Sequence, residues 1–123
     1  MWPISKRSST RLAKRRSDLE SVNASLPALV AEIIVDLPAA RGLSSAGSMS
    51  WSVGDQQFAV LDPDGIDIRL DPAIAEAASR TPDAAPSVRG PEWVRLDPDD
   101  LGGHAVDRLR AWLELAYRRA GGE

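Results

Sequence analysis

Cysteine is absent from the 123 residues. That excludes disulfides, zinc–thiolate sites, iron–sulfur clusters and thiol catalysis, and it fits a reducing, cytoplasmic setting. Histidine occurs once, as His104. A metal site would have to use oxygen ligands alone, and His104 follows two glycines at a helix start, where a solvated or weakly capping role is the ordinary one. Aromatic residues are scarce: Phe58, Tyr117 and four tryptophans. No apolar run approaches the ~18 residues that a membrane span needs, so no membrane association is expected. The apolar stretch over residues 26–40 is broken by Glu32 and Asp36. The segment after Arg15-Arg16 carries Asp18 and Glu20 where an export signal would be uncharged, which argues against a signal peptide.

What is present is enough apolar character, 43% hydrophobic residues, for one small core, although a domain of this size has little stability to spare. The net charge of −3 conceals an asymmetry. Lys6, Arg7, Arg11, Lys14, Arg15 and Arg16 stand among the first sixteen residues with no acid, whereas the remainder holds nine basic and eighteen acidic side chains. Residues 1–20 therefore read as a basic arm on a single acidic domain, residues 21–123. A run of six cations suits sequence-independent contact with nucleic acid phosphates through residues 1–16. The domain itself is expected as a monomer or weak homodimer.

Along the domain, Leu26, Leu29, Val30, Ile33, Ile34 and Leu37 form one apolar helical stripe. Ser25 can cap it, Pro27 suits its first turn, and Pro38 biases Leu37 out of the helix. "ARGLSSAGS" (40–48) reads as a loop. The most patterned stretch is "WSVGDQQFAVLDPDGIDIRL" (51–70). Met49, Trp51 and Val53 alternate with serines; Phe58 and Val60 face opposite to Ala59 and Leu61; and Ile66, Ile68 and Leu70 alternate with Asp67 and Arg69. With turns at "GDQQ" and "DPDG", this is an antiparallel three-stranded meander. "DPAIAEAASR" (71–80) predicts a short helix, "TPDAAPSVRGP" (81–91) a loop, and "EWVRL" (92–96) a strand with Trp93 and Arg95 on one face and Val94 on the other. A last helix runs from about His104 to Ala120, burying Ala105, Leu109, Trp112, Leu113, Ala116 and Ala120, with Asp107–Arg110 and Glu114–Arg118 as supporting pairs. The fold class is α+β: a two-layer sandwich whose antiparallel sheet of about four to five strands has the N- and C-terminal helices on one face.

Four stretches carry a family resemblance: "DLP" (36–38), "FAVLDPDGIDIRLDP" (58–72), "EWVRLD" (92–97) and "LRAWLELAYRRA" (109–120). Over residues 26–120 the chain resembles the MmcQ/YjbR-like small bacterial proteins and the related short luciferase-domain proteins of actinobacteria. The resemblance implies a double-wing or frataxin-like fold, and DNA binding is a function suggested for some members. It implies no light emission. Two departures stand out: luciferase-domain proteins often carry histidines after the "FA" strand and this chain has none, and its body is acidic where a phosphate-gripping wing would be basic.

No catalytic constellation, cofactor site or metal site is legible. "DPDGID" (62–67) lacks the ligand spacing of a calcium loop and reads as a turn. "DPDD" (97–100) is turn and helix start, and the serines of 44–52 form no nucleophile elbow. "GLSSAGS" lacks the lysine of a phosphate loop. Trp51, Trp93 and Trp112 fit core positions. The candidate ligand contacts are Arg69, Arg89, Trp93 and Arg95: Arg69 and Arg95 on a shared open sheet face would make a small anion-friendly patch, unless acids such as Asp67 neutralise it. The expected function is a non-enzymatic binding or interaction domain, with nucleic acid contacted through the arm. The alternative is a small-molecule-binding domain or enzyme with a pocket between the sheet and the 71–91 loop.

Overall fold

The structure, a computed structural model, describes residues 25–98 and 101–122, so the basic arm lies outside the described residues. Helix α1, Leu26–Ile34, starts where Ser25 Oγ accepts the Ala28 N–H at 3.4 Å, with a proline in its first turn. Val30, Ile33 and Ile34 are buried, while Leu26, Leu29 and Leu37 pack at the margin of the same core. The stripe is the one the spacing predicts. The helix itself stops earlier, and Leu37 is held by a turn in which its N–H donates to the Ile34 carbonyl.

Six strands follow in one sheet: β1 Ala40–Ser45, β2 Ser48–Val53, β3 Gln56–Asp62, β4 Gly65–Arg69, β5 Ala84–Pro86 and β6 Trp93–Leu96. Helix α2, Pro72–Ala78, lies between β4 and β5, and α3, Gly103–Arg119, closes the domain. The strand order is β1-β2-β3-β4-β6-β5, antiparallel throughout. The class is the expected α+β, but the sheet is larger than four to five strands, because β1 and β5 form where loops were expected. β1 pairs with β2 through a two-residue turn in which Ala46 and Gly47 both take positive φ, 44° and 85°. That geometry matches the twist of paired strands, although alanine rarely adopts it.

One core serves all three helices and the inner sheet face. Its centre includes Phe58, Ile66, Ile68, Val94, Leu96, Leu109 and Leu113. Alternation put Phe58 and Ala59 on opposite faces, and the structure corrects this. Trp51 pairs with Ala59 and Ser52 with Gln57, so Phe58 is the extra residue of a β-bulge. Both Phe58 and Ala59 are fully buried in the helix-side core. There the Phe58 ring meets Tyr117 of α3 edge-on, with centroids 6.1 Å apart. Tyr117, outside the expected stripe, is buried too, and its hydroxyl donates to the Pro38 carbonyl, tying α3 to the turn before β1. No ion pair joins Asp107 to Arg110 or Glu114 to Arg118 among the described residues.

Candidate functional site

The register of β4 and β6 decides which side chains reach the outer face. Asp67 stands opposite Arg95 and Arg69 opposite Trp93, while the residues between them pair as Ile66 with Leu96 and Ile68 with Val94. Those four apolar residues are fully buried against the helices. Period-two alternation therefore sends Asp67, Arg69, Trp93 and Arg95 outward together. The shared face expected for Arg69 and Arg95 is present.

Carboxylates occupy most of that patch. Asp62 Oδ1 accepts the Asp64 and Gly65 N–H groups at 2.8 and 3.0 Å, which closes the β3–β4 turn. The same carboxylate takes Arg95 through both terminal nitrogens, at 2.7 and 3.1 Å. Arg95 Nη1 also reaches both oxygens of Asp67 at 3.2 Å, and Arg89 Nε donates to Asp67 Oδ2 at 3.0 Å. Asp67 is 3% exposed and is satisfied by two guanidiniums. A second group forms at the far end of β4. Glu92 Oε1 receives Arg69 Nε at 2.9 Å and Arg119 Nη1, from the end of α3, at 3.1 Å. Arg69 Nη1 donates to Gln56 Oε1 at 3.1 Å.

These contacts set the protonation of the group. The Arg95 guanidinium hydrogen-bonded to Asp62 holds that carboxyl below its ordinary range, helped by the turn N–H groups and opposed by partial burial. Arg69 does the same for Glu92, with Arg119 adding to it. Arg95 is pushed in the reverse sense, its charged form favoured first by the bond to Asp62. With both terminal nitrogens committed to Asp62 and Asp67, Arg95 braces the face.

Arg69 and Arg89 differ from it. Among the described residues, no acceptor holds either terminal nitrogen of Arg89 or Nη2 of Arg69. Both side chains line a cavity of about 320 Å³ together with Asp55, Gln57, Glu92 and Trp93. The Arg89 guanidinium lies over the Trp93 ring, 5.5 Å from its centroid. Trp93 is thus half-buried on the outer side, correcting the expectation that it belongs to the core with Trp51 and Trp112. A neighbouring cavity of about 390 Å³ opens between α2 and the 86–93 segment, lined by Pro72, Ala73, Ala75 and Pro86. The two cavities share Gly90, Pro91 and Trp93. The 71–91 segment is not a plain loop laid over the sheet: it forms α2 and β5 and walls both cavities.

A larger cavity, about 700 Å³, lies elsewhere, beside His104 and Asp107 at the start of α3. Its one guanidinium, Arg108, donates through Nη1 to Thr81 Oγ1 and the Pro82 carbonyl, and it stands alone there, whereas the smaller site brings two guanidiniums together. Among the described residues no group of three or more His, Cys, Asp or Glu side chains is placed to hold a metal ion. No described helix is long and apolar enough to cross a membrane. The acceptors Asp62 and Glu92 and the lining residues Asp55 and Gln57 were missed from sequence. Glu92, adjacent to Trp93, carried the one usable signal; Gln57 was hidden by the bulge that follows it. No protein-family model, curated protein or solved structure matches the chain.

Proposed function

We propose that this chain is a small non-enzymatic binding domain that takes its ligand where the outer face of β4 and β6 meets the 71–91 segment. The observation that carries this reading is one cavity lined by two guanidiniums with uncommitted donors and by one indole ring. A few convergent polar groups beside an aromatic wall are the usual make-up of a small-molecule site. Buried Asp67 and half-buried Glu92 fix the two arginines before a ligand arrives, which lowers the ordering cost of binding. A fragment screen read by amide and indole resonances tests it. Hits should cluster on Gln57, Arg69, Arg89 and Trp93, and Trp93→Leu should abolish them while the remaining spectrum is retained. Hits scattered over the surface, indifferent to that substitution, would discard the site.

A second reading is favoured by charge alone: the six cations of residues 1–16 against the acidic remainder. In it the arm neutralises nucleic-acid phosphates and the domain is passive, in keeping with the DNA binding suggested by the MmcQ/YjbR-like resemblance. Fluorescence anisotropy with DNA across a salt series separates the readings. An arm-driven complex should weaken with a log–log slope of up to about −5 if all six cations engage, and it should vanish for a chain starting at Asp18. Binding that survives that truncation belongs to the folded domain.

A further inference from the structure

We infer that the ligand of the Trp93 site is a small planar monocarboxylate whose acid group meets Arg69 and Arg89 and whose ring lies along Trp93 toward the apolar cavity. The inference rests on the binding reading above and adds the chemical class. Charge sets the first limit. Arg69, Arg89, Arg95 and Arg119 are joined in ion pairs to three carboxylates, Asp62, Asp67 and Glu92, leaving one positive charge in excess. Asp55 is exposed at the rim, where solvent screens it. One excess charge suits one negative charge; a dianion would leave a surplus beside the buried Asp67.

Donor geometry sets the second limit. Arg89 is held through Nε alone, which leaves both terminal nitrogens of its outer edge, whereas Arg69, held through Nε and Nη1, adds Nη2 beside it. Guanidinium edges match the two coplanar oxygens of a carboxylate better than they match a single polar atom. The third limit is the wall. Trp93 borders both cavities, and the second, with Pro72, Ala73, Ala75 and Pro86 around it, has no charged lining residue except Glu76. A flat apolar body attached to the carboxylate can therefore run from the arginines across Gly90 and Pro91 without burying a polar group unpaired.

The test titrates the full chain with benzoate, with benzamide as the neutral analogue of the same shape, and with inorganic phosphate, all followed by NMR. Benzoate should move the Gln57 and Trp93 amides, the Trp93 indole and the Arg69 and Arg89 Nε signals. Benzamide should bind about tenfold more weakly for want of the charge-assisted bonds. Asp55→Asn, which removes an exposed acid and no observed hydrogen bond, should tighten benzoate about twofold by sparing a screened repulsion. Arg69→Gln should lose binding, with Arg119 still holding Glu92. Equal affinity for benzoate and benzamide would overturn the anionic class and leave the site standing. Phosphate binding as tightly as benzoate would overturn the planar monoanion. If no signal of this cavity moves with any of the three probes, the class and the site fall together.

Discussion

Ile66 and Ile68 on β4 turn toward the helices and are fully buried; Asp67, between them, turns the other way and is 3% exposed. The same strand is thus closed to water on both sides at its centre, by different means. On the inner side, closure comes from packed apolar side chains under α1, α2 and α3. On the outer side, a carboxylate is enclosed by the arginines it binds, Arg89 and Arg95, which remain 39% and 27% exposed themselves. Arginine stems can shield a buried acid while their heads stay wet. A two-layer fold can thereby build a fixed polar surface on its uncovered face.

Truncation of the inner side should be the larger loss. Ile68→Ala is expected to cost about 3 kcal/mol, the sum of lost transfer and a cavity in a packed core, measured as a shift in the urea midpoint. Asp67→Asn should follow at about 2 kcal/mol: it removes the charge from a buried pair, discounted because both arginines reach solvent and Arg95 retains Asp62. A cost below about 0.5 kcal/mol would make the outer network mere surface decoration and end the comparison. Tyr117→Phe asks the same question of the inner layer's own polar contact. Losing the hydroxyl bond to the Pro38 carbonyl should cost about 1 kcal/mol, because a single neutral bond is involved.

The smallest effect is the acid response. Asp62 and Glu92, whose ordinary values are 3.8 and 4.5, are both lowered in the folded chain. The stability they contribute is therefore complete above those values and disappears as pH falls through the lowered ones. Urea midpoints should be flat from neutral pH down to about 5 and decline below about 4, with Asp62→Asn showing a shallower decline. A decline already under way at neutral pH would assign the acid response to other groups.

The parts of this architecture that were legible in the sequence are those in which burial imposes a period. The α1 stripe and most of the α3 stripe follow helical spacing, and β4 shows its apolar and polar residues in strict alternation. β1 was illegible because an edge strand exposed along most of its length needs no apolar alternation, and because its turn uses alanine at positive φ where asparagine or glycine is the recognisable choice. β5 is three residues ending in proline, too short to carry a pattern. The bulge at Phe58 breaks the period at the residue it turns into the core. For the site, strand alternation brought Arg69, Trp93 and Arg95 to one face. It could not show that Arg95 would be committed to Asp62, thirty-three residues away, or that a loop arginine, Arg89, would fold back over Trp93.

The two ends of the strand order have unequal prospects for association. β5 ends in Pro86, which has no N–H to give, and it offers only three residues. β1 presents six residues, exposed along most of their length, with Leu43 68% exposed and, among the described residues, no strand beyond it. Sheets that grow from both sides can polymerise without limit. A sheet with one receptive margin and one blocked margin can only meet its own copy head-on, and the meeting uses up the sole place where growth could continue. Among the described residues, any pairing through the β1 edge would therefore stop at two copies.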